Sequence, residues 1–442
     1  MTNANRIGPL FTDLYELTMA ASYWDHRIFG KATFSLFIRP SGKRGYFIAA
    51  GLEDALRELA QFHFTAEEIE YLRSKALFSA DFLSYLKSLR FTGQVYAQPE
   101  GSIFFADEPI LEVTAPVIEA QILETFLINT IGFQTLIASK AARCVHAARG
   151  RPLIDFSLRR TQGQDAGLKV ARNTYLAGFT ATSNVLAGKL YGIPISGTMA
   201  HSFITAFDNE AEAFAAYAET FPLGSIFLID TYDTLAGARN AAKVANNMKQ
   251  NGRHLIGVRL DSGDMADLSI KVRRILDGAG LSDVRIFASS GLDEYEIADL
   301  LARKAEIDAF GVGTKIGVSA DMPYLDIVYK MVRYDHRDVK KLSPGKRTLA
   351  GKKQVFRKRN QAGMYQEDII GVRNERMQDT ETLLVKVMED GQSLVDLPAL
   401  PALQARFKAN FEALDERYKA LQNPLRYPVK LSQRLEKLQA EI

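Results

Sequence analysis

The sequence predicts an α/β protein, with an irregular, incomplete α/β barrel and a discontinuous α/β-sandwich domain built from both chain ends. Between residues 152 and 314, short apolar runs alternate with helical patterns, which is typical of a parallel sheet buried on both faces. After Pro323 this alternation stops and patterns of antiparallel strands follow. Six strand–helix units in succession favour a barrel over an open sheet.

We expect three segments along the chain. Residues 1–135 form the N-terminal part of the sandwich domain, residues 136–325 form the catalytic barrel, and residues 326–442 pack back on the N-terminal part. The elements expected in the first segment are a helix over 12–24, a strand over 32–38, strands and turns over 93–116 and one long helix over 116–149.

The barrel segment combines apolar runs with helical patterns. The expected strands lie at 152–156, 193–198, 225–230, 255–261, 284–291 and 307–314. The expected helices lie at 173–191, 202–221, 235–251, 265–278 and 294–304. In the third segment we expect antiparallel strands, helices over 402–422 and 431–442, and a basic stretch at 340–359 that we interpret as a solvated β-ribbon face.

Composition excludes several classes of protein. The 442 residues are 47% hydrophobic and 24% charged, as in globular proteins, and 55 basic against 52 acidic side chains leave a net charge of +3. This charge gives no reason to expect a nucleic-acid or membrane partner. The single cysteine, Cys144, excludes an intrachain disulfide framework and a cysteine-rich zinc site. Without a long apolar run or a signal-peptide pattern, we expect a cytoplasmic protein.

Polar residues and glycines follow every expected barrel strand. Functional groups of parallel barrels cluster in the loops after the strands, so we expect one site built from these positions. The six segments are Phe156–Arg160, Gly197–Ser202, Asp230–Thr234, Arg259–Asp264, Ser289–Gly291 and Gly311–Lys315.

Four carboxylates in these loops are candidates for chemistry. Asp230 and Asp261 end their strands, where they suit hydrogen bonding to sugar hydroxyls or binding of Mg²⁺. Asp233 and Asp264 fit equally well as helix N-caps.

His201 is the histidine whose sequence neighbours indicate a function. It follows a strand, begins a helix and is flanked by Thr198 and Ser202, whereas the other five histidines lack such neighbours and are interpreted as structural. No histidine pair has the spacing of a zinc peptidase.

Glycines and arginines indicate an anionic ligand. Gly291, Gly311 and Gly313 follow strands and allow backbone N–H groups to approach phosphate oxygens. Arg159 and Arg160 follow an aromatic residue, an arrangement that suits clamping of a carboxylate or phosphate.

Six segments are similar to those of nicotinate phosphoribosyltransferases. They are TDLYELTMA (12–20), FSLRRTQG (156–163), TSNVLAGKLYGIPISGTMAHSF (182–203), RLDSGD (259–264), ASSGLDE (288–294) and FGVGT (310–314). The resemblance covers essentially the whole chain. It implies a type II phosphoribosyltransferase that forms a homodimer with active sites at the subunit interface.

The resemblance implies a Mg²⁺-dependent reaction of NAD salvage. Nicotinate attacks C1 of 5-phosphoribosyl-1-diphosphate (PRPP) and releases diphosphate, which forms nicotinate mononucleotide. ATP is a co-substrate, and its hydrolysis is coupled to the transfer through a phosphohistidine that by motif is His201. Mg²⁺ is held mainly through the substrate phosphates.

The resemblance also implies three roles for the site residues. The catalytic residues are His201, Asp230 and Asp261. The base-binding residues are Tyr15, Phe156, Arg159, Arg160, Ser183 and Arg259, with the pyridine ring between Phe156 and a Tyr15 that comes from the partner subunit. The residues for PRPP and its phosphates are Arg39, Thr198, Ser202, Ser290, Gly291, Gly311, Gly313 and Thr314.

Alternative functions stay open at this point. Nicotinamide phosphoribosyltransferases share the fold but carry an acidic side chain near the base, where this chain has Thr182, Ser183 and Asn184. Quinolinate phosphoribosyltransferases are shorter and lack the histidine. A non-catalytic protein that binds NAD precursors would be expected to lack His201 or the strand-end aspartates, and none of these is missing.

Overall fold

The computed structural model describes residues 7–40, 42–343 and 348–442, so Lys346 and Arg347 of the basic stretch lie outside the described residues. The chain divides into two compact units. The first, called the terminal unit, combines the described residues up to Leu136 with Tyr324–Ile442. The second, called the half-barrel unit, is Ile137–Pro323. No helix of the described residues is long and apolar enough to cross a membrane.

The N-terminal part of the terminal unit mixes helices and strands. In chain order the elements are α1 (Leu14–Asp25), β1 (Lys31–Ile38), β2 (Phe47–Ile48), α2 (Leu52–Ala60), α3 (Ala66–Ser74), α4 (Ala80–Ser88), β3 (Gln94–Ala97), β4 (Ile103–Phe104), β5 (Pro109–Pro116), α5 (Val117–Ile122) and α6 (Glu124–Ala147).

The single helix expected over 116–149 is wrong, because α5 ends at Ile122 and α6 begins at Glu124. The Glu16 carboxylate on α1 accepts a hydrogen bond from the backbone N–H of Thr125 at 2.9 Å. A side chain from another helix therefore satisfies a free N–H group at the start of α6.

The half-barrel unit begins at Ile137, inside α6, and is built on six strands. In chain order the elements are β6 (Leu153–Asp155), α7 (Gln164–Leu176), β7 (Ala181–Thr182), α8 (Val185–Tyr191), α9 (His201–Ile204), α10 (Glu210–Thr220), β8 (Ile226–Leu228), α11 (Thr234–Gln250), β9 (Gly257–Leu260), α12 (Met265–Gly278), β10 (Arg285–Ala288), α13 (Glu294–Ala302), β11 (Ala309–Val312) and α14 (Thr314–Gly317). The sheet order is β7-β6-β11-β10-β9-β8, and all pairs are parallel. Because β7 and β8 are its edges, the sheet is an open, curled half-barrel, and the predicted incomplete barrel is confirmed.

The strand expected over 193–198 is wrong. The second strand of the unit is β7, and the expected run contributes one parallel bridge, between Ile195 and Thr182. Pro194 has no N–H group to donate to a sheet, and Ile195 remains 61% exposed. An exposed, proline-containing run gains too little from pairing to form a strand.

The helices expected over 173–191 and 202–221 are each interrupted. After α7, Gly178 adopts a φ of +103°, which is left-handed backbone that ends a helix. Before α10, the Asn209 side chain accepts a hydrogen bond from the backbone N–H of Glu212 at 3.0 Å and caps a second helix start.

The C-terminal part of the chain returns to the terminal unit. Its elements are β12 (Ile327–Tyr334), β13 (Arg337–Asp338), β14 (Lys353–Arg359), β15 (Tyr365–Val372), β16 (Thr380–Thr382), β17 (Val385–Glu389), β18 (Gln392–Ser393), α15 (Leu400–Glu412), α16 (Glu416–Lys419), β19 (Val429–Leu431) and α17 (Gln433–Glu441). The helix expected over 402–422 is two helices, because the Asp415 side chain caps the start of α16.

Both chain ends share one sheet in the terminal unit. Its order is β13-β12-β1-β5-β3-β17-β18, and β1 is antiparallel to both of its neighbours. The remaining strands form the sheets β16-β14-β15-β19 and β2-β4. Buried Glu112 on β5 pairs with Lys353 at 3.1 Å and with Arg373 at 2.6 Å, which joins the N-terminal and C-terminal parts. The predicted discontinuous domain is therefore present.

The core of the half-barrel unit requires a glycine at one helix position. The rings of Phe214 and Phe227 stack with centroids 4.7 Å apart inside an apolar cluster. Gly237 on α11 lies against the end of β8, where an added Cβ would overlap the carbonyl oxygen of Ile229. Gly237 therefore lets α11 approach the strand end that carries Asp230.

Gly237→Ala should lower the free energy of unfolding by about 1–3 kcal/mol, because α11 must move to admit the methyl group. Gly278→Ala is the matched control, since an added Cβ at the end of α12 meets no atom within 4 Å. Gly278→Ala should raise the free energy of unfolding by about 0.5–1 kcal/mol. Urea unfolding followed by circular dichroism measures both changes, and equal effects would contradict the close packing of α11.

Candidate active site

The carboxyl ends of the half-barrel strands bring most of the predicted site residues to one edge of the sheet. The residues that follow the strands are Phe156 after β6, Ser183 after β7, Asp230 after β8, Asp261 after β9, Ser290 after β10 and Gly313 after β11. The segment 196–201 leaves from the same edge, because Ile195 forms a parallel bridge to β7.

Asp230 and Asp261 are fixed by hydrogen bonds between neighbouring strand ends. The Oδ2 atom of Asp230 accepts from the backbone N–H of Asp261 at 3.0 Å and from the Ser262 hydroxyl at 2.5 Å. Oδ1 of Asp261 accepts a hydrogen bond from the Ser289 hydroxyl. Oδ1 of Asp230 is buried and has no partner among the described residues. The two carboxylates are therefore held in place, with one buried oxygen left to bind a ligand.

The His201 ring lies beside these carboxylates. Its Nδ1 atom is 3.1 Å from the Thr231 hydroxyl, and its Nε2 atom is 3.8 Å from Oδ2 of Asp261. The side chain is 44% exposed at the start of the short helix α9. One ring nitrogen is thus fixed by a neighbour while solvent and ligands can reach the ring.

Arg259 joins β9 to the segment that leads to His201. Its guanidinium donates to the Thr198 hydroxyl and, at 3.0 Å, to the carbonyl oxygen of Met199. Burial lowers the pKa of Arg259, attraction to Asp261 and Asp230 opposes this, and repulsion from Arg159 lowers it further. Arg159 and Arg259 therefore both contribute positive charge to this edge of the sheet.

Phe156 packs against a glycine on the neighbouring strand. An added Cβ at Gly311 on β11 would overlap the Phe156 ring, so this glycine makes room for the aromatic side chain. Leu158–Arg160 form a short 3-10 turn directly after it, on which Arg159 and Arg160 are exposed. An aromatic face and exposed cations therefore lie next to each other.

Two turns offer backbone N–H groups. After β10, Ser290 and Gly291 adopt consecutive left-handed conformations, with φ of +80° and +65°. After β11, half-buried Gly313 precedes exposed Thr314 at the start of α14. Successive N–H groups in such turns form concavities that bind anions. Ser202, the second residue of α9, is exposed to solvent.

Sequence reasoning missed Asp155 and Thr231. Asp155 ends β6 and is completely buried, and it accepts hydrogen bonds from the backbone N–H of Ser157 at 2.9 Å and the Thr182 hydroxyl at 2.7 Å. Its position at the end of an apolar run is the same signal that identified Asp230. Thr231, the partner of His201, had the weaker signal of directly following that aspartate.

Asp233 and Asp264 are helix N-caps, the alternative left open by the sequence. Asp233 accepts from the backbone N–H of Ala236 at 2.7 Å. Asp264 caps α12 and also pairs with Arg303 at 2.7 Å. Across residues 7–40, 42–343 and 348–442, no group of three His, Cys, Asp or Glu side chains is arranged to hold a metal ion.

Tyr15 and Arg39 belong to the terminal unit. Tyr15 on α1 is 46% exposed, and burial of its hydroxyl together with the nearby negative charge of Glu124 raises its pKa well above the usual range. Arg39, directly after β1, pairs with Asp326 at 3.2 Å. Both side chains present a polar group near the surface of their unit.

Comparisons with known proteins converge on one family. Residues 10–132 match the nicotinate phosphoribosyltransferase N-terminal domain, residues 152–360 the nicotinate phosphoribosyltransferase family, and residues 376–439 its C-terminal domain. A nicotinate phosphoribosyltransferase of Mycobacterium tuberculosis is 46% identical over 98% of this chain and 94% of its own length. That of Bacillus subtilis is 40% identical over 96% and 93%. The crystal structure of human nicotinic acid phosphoribosyltransferase superposes with a TM-score of 0.87 at 30% identity, covering 98% of this chain and 99% of the human one.

The buried Asp155 predicts a pH-dependent contribution to stability. Burial raises its pKa in the folded state above the unfolded value, which is about 3.9. The folded state then holds the proton more tightly, so the stabilising contribution is present at low pH and is lost as pH rises through the folded pKa. The stability of Asp155→Asn relative to the unchanged protein should therefore increase as pH rises from the unfolded pKa of about 3.9 towards the raised folded pKa.

The measurement is the free energy of unfolding in urea at several pH values. Asp283→Asn is the control, because its carboxylate is 62% exposed and removal of a solvated charge has little effect on stability. A stability difference between Asp155→Asn and the unchanged protein that does not vary with pH would contradict this account.

Proposed function

Since the chain belongs to the nicotinate phosphoribosyltransferase family and transfers the phosphoribosyl group of PRPP to nicotinate, we propose that its half-barrel strand ends carry out this transfer and couple it to ATP hydrolysis through a phosphorylated His201. The observation that carries the proposal is the cluster of His201, Asp230, Asp261 and Arg259 at one edge of the sheet.

The transfer needs a site that stabilises both the positive charge developing on the ribose and the negative charge of the leaving diphosphate. The ring nitrogen of nicotinate forms a bond to C1 of the ribose while the bond from C1 to the diphosphate oxygen breaks, and positive charge develops on the sugar. Asp230 and Asp261 are held in fixed positions, so they stabilise this charge without reorganising during the reaction. The electron pair of the broken bond leaves with diphosphate.

The site suits a Mg²⁺ ion that is held mainly by the phosphates of PRPP. The unpartnered oxygen of Asp230 and the partly exposed carboxylate of Asp261 are the protein oxygens that fit such an ion. When bound, Mg²⁺ neutralises charge on the diphosphate. Because no group of three His, Cys, Asp or Glu side chains among the described residues is arranged to hold a metal ion, most ligands would come from substrate and water.

The base site combines an aromatic face with cations. Phe156 supplies one face for the pyridine ring, and in our proposal Tyr15 of the partner subunit supplies the other. In our proposal Arg159, whose charge acts on Arg259, meets the carboxylate of nicotinate together with Arg259. Arg160 does not, because two adjacent arginines point in different directions. Ser183 provides a hydroxyl in place of the acidic side chain that an amide base would need, which favours nicotinate over nicotinamide.

The phosphates of PRPP bind at the turns and short helices of the same edge. The turn Ser290–Gly291 and the pair Gly313 and Thr314 are the candidates for the 5-phosphate, because their N–H groups follow adjacent strands. Gly311 contributes by letting Phe156 pack beside them. The diphosphate end of PRPP is assigned to Thr198 and Ser202, and Arg39 is a further candidate for binding a phosphate.

The phosphohistidine forms on the Nε2 atom of His201. In this tautomer Nδ1 carries the proton and donates a hydrogen bond to Thr231 Oγ1. The lone pair of Nε2 then attacks the γ-phosphorus of ATP, and the bond from this phosphorus to the ADP oxygen breaks. Water later cleaves the N–P bond and releases phosphate. A phosphoryl dianion here lies beside Asp261, so it alters the local charge and the binding of PRPP.

We further propose a cytoplasmic homodimer with active sites at the subunit interface. The half-barrel unit exposes apolar side chains around the base site, including Val185 at 68%, Ile195 at 61% and Leu223 at 85%. A contiguous apolar surface of this kind is typical of a protein interface. PRPP and ATP are intracellular metabolites, which supports the cytoplasmic location.

Mononucleotide formation from PRPP and Mg²⁺ tests the proposal, with nicotinate, nicotinamide or quinolinate and with or without ATP. We expect preference for nicotinate and stimulation by ATP. His201→Ala should lose the stimulation and retain slow ATP-independent transfer, whereas His254→Ala should keep it, because that ring lies outside the strand-end cluster and pairs with Asp283. Unchanged stimulation in His201→Ala would contradict the phosphohistidine, and preference for nicotinamide would contradict the assigned base site.

Adjacent arginines allow a matched test of carboxylate recognition. Arg159→Ala should raise the KM for nicotinate by about tenfold to a hundredfold, as expected for loss of a hydrogen bond to a charged group. Arg160→Ala should change it by less than about threefold, since a surface charge contributes little. Steady-state kinetics at saturating PRPP measures both, and a larger effect of Arg160→Ala would reverse the assignment.

A further inference from the structure

The turn after β10 has a conformation that requires support. Ser290 has a φ of +80°, and a residue other than glycine avoids this region because its Cβ is crowded there. Such residues raise the free energy of the folded state and persist only where the surrounding structure holds them. The support on either side of the turn therefore decides whether its N–H groups are ready for a phosphate.

The first side of the turn is held by the sheet. The backbone N–H of Ser289 donates to the carbonyl oxygen of Leu260 at 2.9 Å, and its hydroxyl donates to Asp261. These bonds attach the start of the turn to the end of β9. They leave the other side, which leads into α13, to be held by a different group of contacts.

A fully buried lysine holds that second side. Lys140 on α6 lies 2.5 Å from a carboxylate oxygen of Glu294, 3.4 Å from Asp293 and 3.0 Å from Asp321. Asp293 and Glu294 open α13 directly after the turn, whereas Asp321 follows α14. One ammonium group thus joins the segments that follow β10 and β11.

Neighbouring charges complete this cluster. Arg143, one helical turn after Lys140, pairs with Glu294 at 2.9 Å and donates to the Tyr295 hydroxyl at 2.9 Å. Lys315 on α14 pairs with Glu296 at 2.6 Å. Burial lowers the pKa of Lys140, but Glu294 and Asp321 raise it more, so the ammonium remains charged.

We propose that Lys140 is a positioning residue, which holds the turns after β10 and β11 in the arrangement that binds the 5-phosphate of PRPP. This inference rests on the proposed function of those turns. Buried ion pairs contribute little to stability compared with apolar packing. Lys140 joins the segments that follow two neighbouring phosphate turns. A contribution to stability alone does not explain this position.

Lys140→Met separates the two roles. We expect the KM for PRPP and the inhibition constant of ribose 5-phosphate to rise roughly tenfold, because a displaced turn no longer aligns its N–H groups. The KM for nicotinate and the inhibition constant of diphosphate should stay within about twofold, since those groups bind elsewhere in the site. Lys140→Arg should restore part of the affinity, because the cation is retained.

Lys353→Met is the matched control. Lys353 is also buried and pairs with Glu112 at 3.1 Å, but it belongs to the terminal unit, whereas the turns after β10 and β11 belong to the half-barrel unit. It should lower thermal stability without changing the inhibition constant of ribose 5-phosphate. Equal changes of that constant in Lys140→Met and Lys353→Met would overturn the positioning role.

A milder variant decides the question if Lys140→Met does not fold. Asp321→Asn removes one of the three charges around Lys140, so it should weaken ribose 5-phosphate binding by roughly threefold while leaving diphosphate binding unchanged. If Asp321→Asn leaves the inhibition constant of ribose 5-phosphate unchanged while the unchanged chain turns over normally, the positioning role is overturned and the proposed function stands. Absence of nicotinate mononucleotide formation by the unchanged chain overturns the proposed function and the inference with it.

Discussion

The hydrogen bonds that join the ends of β8, β9 and β10 are the constraint on which the site depends. Asp230 accepts from the backbone and side chain that follow β9, and Asp261 accepts from the hydroxyl that follows β10. This chain of bonds is possible only where parallel strands end side by side. Both carboxylates are therefore oriented by the fold, so in the proposed transfer their reorganisation would not add to the barrier.

The part of the molecule that could be predicted from sequence is the part encoded by local pattern. Six apolar runs alternate with helices, and this alternation alone predicts a parallel sheet with its polar residues at one edge. Asp230, Asp261 and Phe156 could be identified because each is the last residue of such a run. The chain ends were predicted to pack together because the alternation stops at both of them, and β1 does pair with β12.

The features that could not be predicted depend on residues distant in sequence. The break between α5 and α6 is stabilised by Glu16, more than a hundred residues earlier, and no local pattern contains that contact. Gly311 resembles a phosphate-binding glycine, yet its missing Cβ is explained by the ring of Phe156 on a neighbouring strand. Asp155 is buried by its partners Ser157 and Thr182, so its chemistry becomes visible only when β6 and β7 are paired.

Arg259 is bonded to the segment of backbone that leads to His201, so this segment connects the proposed base site with the histidine. Its guanidinium is bonded to Thr198 and Met199, only two residues before His201, while Thr231 holds the histidine ring from the other side. A segment tied at both ends by buried or strand-end groups transmits a displacement along its short length, because it has little freedom to absorb one. In the proposed mechanism, charge added at His201 would act on the same segment that is bonded to Arg259. The two functions are joined by this geometry, without a separate element between them.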